Sequence, residues 1–269
     1  MPALSDAVRR FAEDPEAFIG EIPLPARRIA TPSFTLVLSP SPTQSSVSCL
    51  STSARELDDT IAEVRRLARE AGYTRTAWNI GPSARPEGLV KLLADRGFIP
   101  ATRPPLEPEV AAMALVRPPP PPPAGVEARV IRDLDEYRQA LRIGIEAFGE
   151  TEEDAAGWLA AAPELWKQQD GVHRFAHLAF VDGRPVGFAM AAVAPQGLLL
   201  GGSGVLASAR GRGAYRALLC ARWESAVALG TPVLVIQAGA MSRPILERCG
   251  FEQVCRIDVM EDPAMGRGA

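Results

Sequence analysis

No stretch of the chain is apolar over the roughly 18 residues that a membrane helix needs. The nearest approach, residues 185–206, is broken by glycines and Pro195, so no membrane span is expected. A positive surplus is missing too. The formal net charge is -3 and the isoelectric point is near 5.6, which argues against nucleic acid as a partner, because its binders displace counterions with cationic side chains. The four cysteines, Cys49, Cys220, Cys249 and Cys255, show no Cys-x-x-Cys spacing. Neither a metal site nor a disulfide framework is indicated. With no secretory leader legible ahead of the first acidic residues, free thiols in a reducing cytoplasm are expected. Histidine is scarce: His173 and His177 are the two in the chain, and both are expected at the surface or at strand ends rather than in catalysis.

The length of 269 residues suits two domains of ordinary size. Residues 118–123 are six consecutive prolines, followed by Ala124 and Gly125. Such a run lacks backbone donors and favours an extended conformation of about 3.1 Å per residue. It reads as a semi-rigid linker, residues 118–125, between units at 1–117 and 126–269. A ligand for an aromatic-grooved module is the alternative.

In the first unit, SFTLVLSP, SSVSCLST and TAWNIG read as strands. Ser53 and Glu56 have capping-box spacing ahead of a helical stripe of Leu57, Ile61, Val64, Leu67 and Ala71, which Gly72 stops. PEGLVKLLADR suits a helix with Pro86 in its first turn. In the second unit a strand at ARVI precedes a helix capped at Asp133 and a second helix near 152–169. A three-strand meander follows, with Asp182-Gly183 as a hairpin turn, then a helix over 213–229 ended by Gly230. PVLVIQA reads as a buried strand, SRPILERCGF as a helix and EQVCRIDVM as a last strand. The fold class is α/β, a mixed and mostly antiparallel sheet flanked by helices. Residues 83–100 and 241–254 both run Arg-Pro, amphipathic helix, Gly-Phe. This faint repeat points to two related units, with the first helix five residues longer.

The segment VLASARGRGAYRALL, residues 205–219, joins an apolar strand to a helix. The first N–H groups of that helix have no intrahelical acceptor and the dipole is positive there, which makes an anion site. Gly211 and Gly213 allow close approach of backbone to ligand, while Arg210, Arg212 and Arg216 add charge and forked donors. A Walker loop is excluded for lack of Gly-Lys-Ser/Thr. A dinucleotide fingerprint is excluded by the glycine spacing and the preceding meander. A diphosphate-bearing cofactor remains.

The segment resembles the acyl-CoA signature of the GNAT superfamily of N-acetyltransferases, approximately Val-x-Pro-x-x-(Arg/Gln)-Gly-x-Gly-x-(Gly/Ala). Val205, Arg210, Gly211 and Gly213 match; Ala207 stands where proline is usual and Tyr215 where a small residue is usual. The element order over about 128–262 agrees, and ILERCGF is similar to the closing helix of that family. The first half resembles it only in LLADRGF and reads as a degenerate companion copy, so two tandem GNAT-like units are expected.

The resemblance implies an acyltransferase that uses acetyl-CoA as co-substrate, with an amine acceptor, small molecule or protein. Main chain around Ser203, Gly204 and Val205 would pair with pantetheine on a strand that splays from its neighbour, which ends near Gln237. Loop amides of Gly211, Arg212, Gly213, Ala214, Tyr215 and Arg216 would hold the pyrophosphate, with Arg210 adding charge. The tyrosine that the family often places on the last helix is here Leu246, and no carboxylate occurs on LLLGGSGVL. Ser242 and Tyr215 are the polar candidates near the thioester, against structural readings as a helix N-cap and a packing residue. Glu146, Glu150, Glu152, Glu153 and Asp154 could attract a cationic amine or form a solvated face. A non-catalytic acyl-CoA sensor or interaction module is the alternative function. A homodimer is left open.

Overall fold

The computed structural model describes residues 4–20, 26–39, 45–102 and 106–266, except the side chains of Glu153 and Asp154. The expected acidic cluster therefore lies partly outside the described residues. The first half consists of α1 (Asp6–Glu13), a 3-10 turn (Pro15–Ala17), β1 (Arg27–Ala30), β2 (Thr35–Leu38), β3 (Ser45–Ser48), α2 (Leu57–Glu70), β4 (Thr76–Ile80), α3 (Leu89–Ala94), β5 (Ile99–Pro100) and β6 (Glu109–Leu115). The second consists of β7 (Val126–Val130), α4 (Leu134–Phe148), α5 (Glu152–Trp166), β8 (Arg174–Val181), β9 (Arg184–Ala194), β10 (Gly197–Val205), α6 (Ala214–Ala228), β11 (Leu234–Ala238), α7 (Arg243–Arg248) and β12 (Glu252–Glu261). None of the described helices is long and apolar enough to cross a membrane.

Local signals of the second half act as expected. Asp133 accepts the Glu136 N–H and caps α4, and Gly149 at φ +66° ends it. Asp182 and Gly183 both have positive φ, the conformation a two-residue hairpin turn requires. In the first half Ser53 and Glu56 bond to each other but form a turn, and α2 starts one residue beyond it, at Leu57. Residues 85–88 turn ahead of α3 instead of extending it, with Gly88 at φ +71°. Helices α3 and α7 thus have the same length, correcting the expectation of a longer first copy. Both end alike: Phe98 N–H returns to Leu93 O and Phe251 N–H to Leu246 O.

Besides the 3-10 turn and the two-residue β5, three elements were not legible in advance. Helix α1 has eight residues, too few for a periodic pattern to stand out. β1 is a short strand at the sheet edge. Strand β6, EVAAMAL, is rich in alanine, a weak strand former, yet it runs through the middle of the molecule. The twelve strands form one sheet in the order β1-β2-β3-β4-β12-β6-β11-β10-β9-β8-β7, with β5 beside β12. Each half passes its last strand across the centre: β6 pairs with β11 (Leu115 opposite Leu234), and β12 pairs with β4 (Asp258 opposite Ile80). Arg65 grips Asp262 and Arg75 grips Glu261 where β12 ends against the first half.

Helices α2, α3, α6 and α7 cover one face, packed on Trp78, Met113, Leu198 and their neighbours. Helices α1, α4 and α5 cover the other, with Phe11 against Ala112 and Val235 in one cluster and Tyr137 against Leu178 in the next. From β6 to β7 the chain must pass five strand positions, about 24 Å at 4.8 Å each. Residues 116–125 cover that span only if extended, which the prolines enforce. The proline run lies along α6 as a strap: Pro120 O accepts from Cys220 Sγ (3.4 Å) and Pro121 O from Arg216 (3.4 Å).

Candidate functional site

Strands β10 and β11 are parallel and pair over two rows, Leu198 with Leu234 and Leu199 with Val235. A bulge between Leu200 and Ser203 then turns β10 away, while Ser203, Gly204 and Val205 stay paired to β9. The opposite edge of this arm has no strand partner among the described residues. A wedge-shaped cleft results, with the β10 arm on one side and Ile236 to Ala238 on the other. Gly204 is glycine for a packing reason: a Cβ there would lie 2.8 Å from Ala147 Cβ of α4 and 3.0 Å from the Phe188 ring.

The loop from β10 to α6 lies beside this arm. Gly211 (φ +77°) and Gly213 (φ +93°) occupy the left-handed region that favours glycine. This conformation leaves the N–H groups of Gly211, Gly213, Ala214, Tyr215 and Arg216 with no acceptor among the described residues, at the positive end of a 15-residue helix. Each of the loop arginines has a protein partner. Arg210 donates to Val205 O (3.3 Å) and Ala147 O (3.5 Å), tying the loop to the end of α4. Arg212 pairs with Asp182 at 2.6 Å, so its charge is offset by the β8–β9 turn. Arg216 donates to the strap. Pro123 packs directly against Gly213, where a Cβ would come within 2.5 Å of its ring.

Beneath the β10 arm lies a polar cluster that sequence reading missed. Arg222 of α6 is fully buried. Its Nε donates to Leu218 O (3.1 Å) and its Nη1 to Ser203 Oγ (2.8 Å). Ser203 Oγ in turn donates to Gly201 O (3.0 Å), bracing the bulge. Tyr215 is packed in the apolar cluster of Leu246, Cys249 and Ile236; burial pushes its hydroxyl pKa up, and the nearby guanidinium opposes that shift. The one available signal for Arg222 was its place four residues after Leu218 on the apolar stripe of α6. His177 also corrects the expectation of a surface role: it is fully buried with Nε2 3.3 Å from Ser225 Oγ. Burial and the Arg222 charge lower its pKa to about 3, so it is neutral.

At the far wall of the cleft Ser242 stands at the head of α7 and donates to Gly239 O (3.3 Å), without capping the helix through its side chain. The first half braces this wall. Glu107 accepts the Ala240 N–H at 2.7 Å, and Gln237 Nε2 donates to Glu13 O at 2.9 Å. Leu246 is buried. Glu146 lines a cavity of about 510 Å³ with Asp133, Asp135, Glu136 and Arg142, bordered also by Leu206 just past the end of β10. There Arg129 and Arg132 hold the Glu136 carboxyl well below its ordinary range.

The equivalent place in the first half is closed. Arg85 N–H bonds to Leu50 O (2.9 Å) and Thr52 N–H to Arg85 O (3.4 Å), stitching the loop before α2 to the loop before α3. Asp14 accepts the Cys49 N–H and Glu13 the Ser83 N–H. The end of α1 thereby plugs the gap between β3 and β4.

No family model matches the sequence, and no curated protein does. Solved structures do. A GCN5-related N-acetyltransferase from Kribbella flavida superposes with TM-score 0.65 at 21% identity, covering 95% of each chain. One from Sphaerobacter thermophilus superposes at 0.62 and 19% identity, over 86% of this chain and 76% of that one. A tandem GNAT protein from the clavulanic acid biosynthesis pathway superposes at 0.59 and 19% identity, over 85% and 78%. With its splayed β10–β11 pair and its two like-built halves, the chain has the GCN5-related N-acetyltransferase fold in tandem arrangement.

Proposed function

We propose that the second half, residues 126–269, is an acyl-CoA-dependent N-acyltransferase with acetyl-CoA as the simplest donor and a primary amine, of a small molecule or a protein, as acceptor. The observation that carries this reading is the row of unpartnered N–H groups at the head of α6, beside the open arm of β10. Those amides and the exposed Arg210 suit a pyrophosphate, and the strand edge at Ser203 and Val205 suits the pantetheine amides. A bound acyl-CoA supplies a thioester: the amine nitrogen bonds to its carbonyl carbon, the C–S bond breaks, and the amine proton ends on the departing thiolate or in water. The chain contributes mainly position, since a thiol leaves readily and alignment lowers the barrier. Ser242 and the Tyr215 hydroxyl are the polar groups proposed to serve the thiolate. The first half, 1–117, with its cleft plugged, is the companion that braces the β11–α7 wall. Free thiols and an acyl-CoA donor both suit a cytoplasmic setting.

Calorimetric titration with acetyl-CoA tests the reading: binding is expected, and its absence in the folded protein would sink it. Gly211→Ala should weaken binding at least tenfold, because alanine disfavours the left-handed backbone that aims the loop amides at the anion. A non-catalytic acyl-CoA sensor is favoured by the buried Leu246 in place of a tyrosine and by Tyr215 packed among apolar side chains. It predicts CoA binding without CoA release across a panel of amines, amino acids and aminoglycosides.

A further inference from the structure

The Arg222 guanidinium has 0% of its surface exposed, and among the described residues Nη2 makes no hydrogen bond of ordinary geometry, with the Tyr215 hydroxyl close by. No carboxylate among the described residues pairs with it. The groups that face it are the Ser203 hydroxyl, the Leu218 carbonyl, Tyr215 and neutral His177. An arginine stays charged in a protein, and a buried charge without a counter-ion is strongly disfavoured. A neutral side chain of similar shape would fill the space at lower cost, so the missing counter-ion is a feature of the site. The position says where that ion comes from. Ser203 stands on the arm of β10 that has parted from β11, while Tyr215 packs with Ile236 of β11. The guanidinium therefore underlies the cleft on the side of α6, the side of the anion loop, rather than on the face covered by α1, α4 and α5.

We propose that Arg222 receives a carboxylate at the far end of the acyl group, so that the preferred donor is the CoA thioester of a dicarboxylic acid rather than acetyl-CoA. The inference rests on the acyl-CoA reading above. Nη2 supplies the free donor, Nη1 keeps Ser203, and the ligand carboxylate neutralises the cluster. Lysine could not replace the arginine, because one ammonium cannot hold Ser203, Leu218 and a ligand in a fixed plane.

Calorimetric titration of the full chain with CoA, acetyl-CoA, malonyl-CoA and succinyl-CoA decides the matter. At least one dicarboxylic thioester is expected to bind ten times more tightly than acetyl-CoA, since a buried charged hydrogen bond carries about that much discrimination. Arg222→Met should abolish the ratio while CoA itself still binds. Equal affinity of wild type for acetyl and dicarboxylic thioesters overturns the proposal and leaves the acyl-CoA reading standing, with Arg222 a structural brace for the bulge. Failure of every thioester, CoA included, overturns both. If Arg222→Met does not fold, the wild-type ratio still decides.

Discussion

Gly211 and Gly213 are both in the left-handed region, and their surroundings differ enough to separate two costs. A Cβ at Gly211 would meet nothing within 4 Å, so Gly211→Ala costs only backbone strain, about 1–2 kcal/mol. A Cβ at Gly213 would stand 2.5 Å from Pro123 Cδ and 2.7 Å from Cγ. The proline ring is stiff and its strap is anchored at Pro120 and Pro121, so relief requires the strap to shift. Overpacking of this kind adds about 1–3 kcal/mol, giving about 2–5 kcal/mol for Gly213→Ala. At roughly 2–4 °C per kcal/mol for a chain of this size, Gly213→Ala should lower Tm several degrees further than Gly211→Ala. Pro123→Gly in the same chain should bring the cost of Gly213→Ala back to that of Gly211→Ala. Thermal and urea denaturation of the ligand-free variants measure both. Equal destabilisation by the two alanines, or no rescue by Pro123→Gly, would refute the docking of the strap on the loop.

His177 is held neutral with a pKa of about 3, below its unfolded value near 6.5. Unfolding therefore takes up a proton between those limits, and the His177 contribution to stability should fall by about 1.4 kcal/mol per pH unit as pH drops below 6.5. Urea denaturation at pH 7, 6 and 5 should show a shallower fall for His177→Gln; parallel curves would contradict the burial of the ring. Because β6 and β12 cross between the halves, residues 1–117 and 126–269 expressed separately should be poorly folded by circular dichroism and should recover structure when co-expressed. A well-folded 126–269 fragment would show that β11 and β12 can manage without β6.

Helix α4, the β8–β10 meander, α6 and the Gly-Phe ends of α3 and α7 were legible because each depends on near neighbours in sequence. Asp133 needs Glu136 three residues on, the Asp182-Gly183 turn needs two left-handed residues, and α6 carries its own apolar stripe. The anion loop was legible for the same reason, as glycines at the mouth of a helix. The partners of its arginines were not: Arg212 finds Asp182 and Arg216 finds Pro121 across the fold, and no local pattern encodes those meetings. Spacing places Arg222 on the apolar stripe of α6 but does not tell what it meets there, nor that His177 is buried, since that follows from which face of α6 and β8 meets its neighbour.

The sequence by itself determined the kind of unit, the place of the anion loop and the need for glycine at 211 and 213, because these follow from local conformation and periodicity. Only the tertiary structure decided that the last strands cross, that the proline run is a strap against Gly213, that α1 plugs the first half and that Arg222 stands without a counter-ion among the described residues. Those are pairings between residues tens to hundreds of positions apart. Their stability comes from shared burial and hydrogen bonding, which exist only once the sheet has closed.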